Sequence, residues 1–153
     1  MSSAGPSLPT AREVVYGASL IHQVHVGGFA ISESRYQPDF QIPTHYHERP
    51  CLTYVLNGGF IEKTRSSELT ISANRLLVKP AATVHSDSIA PCGAHSVQIE
   101  LIEDDAELVP MLAHFDRPVV RKTIAVARIV NDIVCELNAP DHLSPLALSS
   151  LVM

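Results

Sequence analysis

No apolar run in this sequence approaches the roughly 20 residues that a bilayer-crossing helix needs. The N-terminus, MSSAGPSLPTARE, has no positive segment leading into an apolar core, so it does not read as a signal peptide. The cytoplasm is the expected compartment, and no membrane partner is expected. Basic residues are scarce and scattered: 11 Lys and Arg stand against 16 Asp and Glu, for a net charge of -5. Non-specific grip on nucleic acid comes from clustered Lys and Arg that displace counterions, so this chain is not built to hold a polyanion alone. Only three cysteines occur, Cys51, Cys92 and Cys135, too few and too far apart for a disulfide framework. What remains is an ordinary globular composition, 46% hydrophobic and 18% charged, over 153 residues, enough for one domain with a real core. The one excess is histidine, with eight.

From Glu13 to Ile102 the chain reads as short strands between turn signals. The clearest strands are 20–26, 29–36, 51–56, 60–64, 75–79 and 95–102. Gly27-Gly28, Pro38-Asp39, Asn57-Gly58-Gly59, Ala73-Asn74 and Pro91-Cys92-Gly93 punctuate them. Asn-Gly tolerates the positive φ of a tight hairpin, so a turn is expected at 57–59. The pattern predicts an antiparallel sandwich or small barrel over 13–102, behind a flexible segment 1–12.

After Glu103 the period changes. Pro110 limits 104–115 to one or two short helical pieces. A helix is expected from Pro118 to Asn138, stopped by Ala139-Pro140. Val120, Ile124, Ala127, Val130, Val134 and Leu137 share one stripe, while Val126, Ile129 and Ile133 widen the apolar arc to roughly 200°. Either the helix is sunk in a groove of its own domain, or a second helix covers its free face. That second helix would come from a following segment or from a partner chain, the latter as a homodimer through 118–138 with Ile129 or Ile133 near the axis. Ser144-Pro145 then opens a further helix that stops at Met153 without closing residues, so the chain is expected to be a piece of a longer protein. Residues 103–153 thus read as a helical segment, truncated at its C-terminal end, with dimerisation as one of its possible uses.

The chemistry concentrates in HYHERPCLTYVLNGG, residues 45–59. Residues two apart on a strand face one side, so His45 and His47 can aim both imidazoles into one space. Cys51 follows four residues on, then Gly58, and downstream NRLLVKPAATVHS carries Pro80 and His85. Asp87 reads as a turn cap or a hydrogen-bond acceptor for a ligand histidine. Glu100 reads as a solvent-facing charge before an inward-pointing one that completes a pocket, and Cys92 and His95 as loop residues.

Residues 40–90 resemble the two-motif pattern of the cupin superfamily: H-x-H, three or four residues, Glu, six residues, Gly; then G-x5-P-x-G-x2-H. The resemblance implies a double-stranded antiparallel barrel (a jelly roll) with His45, His47 and His85 as metal ligands. Cys51 stands where that family has Glu, and it is either a fourth ligand or a small core residue. Asn74 and Ala82 stand at glycine positions. Three His with a Cys would suit a divalent transition metal, zinc or nickel before iron.

From about residue 15 to the end, HYHERPCLTYVLNGGFIEK, LLVKPAATVHSD, VQIEL, the helix and SPLALSSLVM resemble the N-terminal sensory region of AraC-type transcription regulators. That resemblance implies an effector-sensing and dimerisation domain, with a small-molecule effector, and with DNA reached only through a further domain. The alternative function is a small metal-dependent cupin enzyme of dioxygenase or isomerase type. Nothing in the sequence identifies a catalytic group, so the expectation leans to the regulator.

Overall fold

The computed structural model of the protein describes residues 18–102, 110 and 115–153. The segment 1–12, the strand start at Glu13 and the short helical pieces expected around Pro110 lie outside the described residues, Pro110 apart. The fold is mainly β. Eight strands form the sheet among the described residues: β1 Ala18–Val26, β2 Phe29–Tyr36, β3 Gln41–His45, β4 Cys51–Lys63, β5 Glu68–Ser72, β6 Leu76–Lys79, β7 His85–Leu101 and β8 Val119–Arg121. Two helices follow, α1 Ile124–Asn138 and α2 Ser144–Val152. Every pairing is antiparallel, in the order β1-β2-β7-β4-β6-β8, with β3 added to β7 and β5 to β4.

Two expected turns are bends within long strands. β4 runs straight through Asn57-Gly58-Gly59, and β7 runs through Pro91-Cys92-Gly93 opposite it. The two strands pair on both sides of the kink, with register shifts at Val55/Asn57 and Gly58/Phe60. Gly58 has a φ of +69°, and a Cβ there would sit 2.0 Å from the Gly93 carbonyl oxygen. Asn-Gly therefore supplies its positive φ to a bulge that folds the sheet over, rather than to a hairpin. The turns at Gly27-Gly28, Pro38-Asp39 and Ala73-Asn74 do separate strands, as expected.

Asn74 and Ala82, which stand at the two glycine positions of the cupin pattern, keep the left-handed backbone, with φ of 62° and 58°. Asparagine tolerates this, whereas alanine pays for its Cβ by about 1–2 kcal/mol. Ala82 is exposed, so losing its methyl opens no core cavity, and its N–H donates to the His47 carbonyl at 2.7 Å. Ala82→Gly is expected to stabilise the protein by about 1 kcal/mol, read as a higher urea midpoint at unchanged slope.

The helix does not begin at Pro118. Val119 and Val120, β-branched and half-buried, extend the sheet as β8 with Leu77 opposite Val120, and α1 starts only after an extended Thr123. The main core lies between α1, α2 and one face of the sheet, with Ile31, Tyr54, Val97, Val130, Ile133, Leu137 and Leu148 buried together. Ile133 is fully buried, so it is not an interface residue, and α2 is the second helix that the wide apolar arc called for. Ser144, expected as the cap of α2, ties the helices instead: its hydroxyl donates to Glu136 and accepts the Asp141 N–H. Among the described residues, no helix is long and apolar enough to cross a membrane.

Candidate metal centre and ligand cavity

Strand alternation gives β2 and β7 two working faces. On β2, Ile31 joins the helix-facing core while Ser32, Ser34 and Tyr36 line a cavity of about 250 Å3. On β7, Val97 faces the core, and Ser96, Gln98 and Glu100 line the cavity. Glu100 is thus a cavity residue, not a purely solvent-facing charge. Phe60, Ile42 and Ile89 supply apolar wall, and His45, His47, Lys79 and Asp87 a polar end.

At that end the three histidines converge. His45 stands directly opposite His85 across β3 and β7, and His47 follows two residues on. All three are buried, and one ligand nitrogen of each lies within 4.8 Å of the others. His45 Nδ1–H donates to the Pro43 carbonyl and His85 Nδ1–H to the Thr83 carbonyl, both at 2.8 Å. That tautomer leaves each Nε2 unprotonated, the arrangement a ligand histidine needs, though the lone pair of His85 Nε2 already accepts from Lys79 Nζ. Burial, then the Lys79 charge, pushes the His47 pKa down to about 3 and that of His85 to about 2; burial also lowers that of His45. All three are therefore neutral near pH 7. A buried His47 Nδ1 has no hydrogen-bond partner. Three neutral imidazoles and an orphaned ring nitrogen fit a divalent transition metal, so the trio could hold one.

Cys51 is not brought into that set. It is buried at the start of β4, opposite Lys79 on β6, and its thiol is pushed up to about 12 mainly by burial. It behaves as a small core residue with its proton on. Two neighbours missed in the sequence take part instead. Glu62 sits opposite Asp87 across β4 and β7, and Lys79 Nζ lies 2.5 Å from Glu62 Oε2 and 2.7 Å from His85 Nε2. Glu62, His85 and Asp87 form a second, overlapping set of metal donors. Asp87 is accordingly no turn cap: it is buried on β7, with Oδ2 3.8 Å from His85 Nε2. Burial is the first cause that raises its pKa to about 7. Lys79 could have been suspected, because it shares a strand face with Leu77 inside an apolar run. Glu62 carried no such signal.

A third buried carboxylate lies on the helix-facing side of β2. Glu33 takes hydrogen bonds from His22 Nδ1 and His95 Nε2, each at 2.8 Å, so His95 is a strand residue with a partner, not a loop residue. Burial pushes the Glu33 carboxyl up, but the hydrogen bonds and charges of the two histidines outweigh it and hold it below its ordinary 4.5. A lowered carboxylate pKa gives stability that is complete above the unfolded value and is lost as pH falls through the folded one. As pH falls below the ordinary 4.5, the urea midpoint should therefore fall further in the wild type than in Glu33→Gln.

No family model matches the sequence, and no curated protein matches it. Solved structures do. The AraC-like transcriptional activator CuxR is 12% identical, with a TM-score of 0.67, over 95% of this chain and 58% of its own. KdgF from Halomonas sp. is 17% identical with a TM-score of 0.51, over 67% of this chain and 99% of its own. A cupin superfamily protein from Desulfitobacterium hafniense DCB-2 is 15% identical with a TM-score of 0.51, over 63% of this chain and 95% of its own. The chain has the cupin fold.

Proposed function

We propose that this chain is the effector-sensing and dimerisation domain of an AraC-type transcription regulator, with the barrel interior as the sensing site. The supporting observation is the extent of the likeness to CuxR, 95% of this chain, against 67% for KdgF. A barrel followed by two packed helices is a domain that can pass a signal outward. Its route is physical: Ser32 and Ser34 face the cavity from β2, while Ile31 on the same strand packs against the helices. A small molecule in the cavity would press on β2 and β7, and any shift of these strands moves the bed on which α1 rests.

His45, His47 and His85 would hold a metal, zinc or nickel before iron, which would supply a fixed positive charge for an effector to bind. Asp87 and Glu100 would orient the effector at the polar end, with Phe60 and Ile89 excluding water beside it. A metal-dependent cupin enzyme would also use three histidines beside a cavity; the two helices are what favour the regulator.

The dimer forms through α1, on the face that its own domain leaves open. Ile124 is 74% exposed and Ile129 38%, and Leu143 and Leu146 are exposed at the start of α2. A second copy across a two-fold axis would cover these exposed apolar side chains. The chain is expected to sediment as a dimer at about 100 µM, where a micromolar contact is populated, and Ile124→Glu with Ile129→Glu as a folded monomer. A monomeric wild type, or a dimer indifferent to both replacements, would remove this interface.

A further inference from the structure

The Lys79 ammonium is buried where the two donor sets meet. It is 4% exposed, and its Nζ lies against Glu62 Oε2 and His85 Nε2 at 2.5 and 2.7 Å. An N–H of the ammonium therefore points at the lone pair that His85 would offer to a metal. His85 belongs to both the His45–His47–His85 set and the Glu62–His85–Asp87 set, so one ammonium obstructs both. One ammonium also does not satisfy the site. Glu62 is fully buried and Asp87 nearly so, yet Glu62 Oε1 and Asp87 Oδ1 have no hydrogen-bond partner among the described residues. Buried polar atoms left unpaired are costly, and these acceptors call for more positive charge than Lys79 brings.

We propose that Lys79 is a built-in competitor for the metal: its ammonium holds His85 until a divalent ion displaces it. On loading, the N–H···N bond to His85 breaks and the Nε2 lone pair passes to the metal. The ammonium keeps all three protons and turns wholly to Glu62, so no proton or electron leaves the site. Lys79 thereby sets the metal affinity low, and occupancy follows the metal concentration instead of being permanent. The proposal rests on reading the three histidines as a metal-holding trio, and it does not depend on the regulator or on the dimer.

The test is zinc affinity, measured by competition with a chelating indicator at neutral pH. Lys79→Met frees His85 and removes a positive charge that repels the ion. A hydrogen bond to a charged group translates to a dissociation constant roughly 10- to 100-fold lower than in the wild type. Because Lys79→Met leaves Glu62 buried without its partner and could impair folding, Lys79→Met with Glu62→Gln is measured beside it; both charges are then gone. The double variant is expected to show the same gain at one zinc per chain, and to lose it when His85→Ala is added. Equal affinity in the wild type and the double variant would overturn the competitor role while leaving the trio intact. Absence of zinc binding in all of them would overturn the competitor role and the trio together.

Discussion

Ile133→Glu is expected to destroy the folded state, not to release a folded monomer. Ile133 is fully buried between the sheet and both helices, in contact with a core that includes Ile31, Val130, Leu137 and Leu148. A carboxylate placed there finds no partner, and burying an unpaired charge costs far more than a domain's whole margin of stability can absorb. Even Ile133→Ala should cost about 2–5 kcal/mol, because the cavity left behind cannot fully collapse. Ile129→Glu is the contrast: on the exposed side of the same helix it should change stability by less than about 0.5 kcal/mol. Urea denaturation followed by near-ultraviolet circular dichroism separates the cases. A cooperatively folded Ile133→Glu protein would mean that α1 does not pack on the barrel as described.

The second large effect is at the buried charge pair. Lys79→Met alone should cost about 3–5 kcal/mol, since Glu62 would remain at zero exposure with its ion-pair partner gone. Adding Glu62→Gln should recover most of that loss, because a well-packed neutral pair often matches a buried ion pair in stability. The measured quantity is the coupling free energy of the double-mutant cycle from urea midpoints. A loss below about 1 kcal/mol for Lys79→Met, or purely additive losses, would mean that the two charges do not rely on each other.

His45 and His47 were legible because residues two apart face one side, although β3 ends at His45. His85 came in only through the resemblance to the cupin pattern, because it meets His45 across two strands far apart in sequence. The end of α1 at Asn138, before Ala139-Pro140, was legible as a local signal, but neither helix start was: α1 opens after Thr123, and Leu143, not Ser144, stands at the cap of α2. Glu62 was not, because only the register that sets it opposite Asp87 brings it in, and that register depends on the bulges around Gly58. Each bulge changes which residues face inward, so alternation counted from Cys51 cannot be carried through to Glu62. Asn57-Gly58-Gly59 misled for a related reason: positive φ serves a bend as well as a hairpin, and the choice lies with Gly93 on the facing strand. The first turn of the expected helix was lost to β6, which offered Val119 and Val120 an edge to pair with. The wide arc of α1 left open a groove in its own domain or a second helix from a partner or a following segment. In fact α1 is covered by both the barrel and the following helix, α2, a choice that no helical wheel could make.

The central claim, that the barrel and α1 together form the dimerising sensory part of a regulator, is tested most directly in a transcriptional reporter. The chain would be fused ahead of a DNA-binding domain that acts only as a dimer, and reporter output compared between the wild type and Ile124→Glu with Ile129→Glu. The account predicts strong dimer-dependent output from the wild type and loss of at least about 90% of it in the variant at equal protein level, as expected when the contact free energy falls by more than about 1.4 kcal/mol. Equal outputs from the two fusions would contradict it.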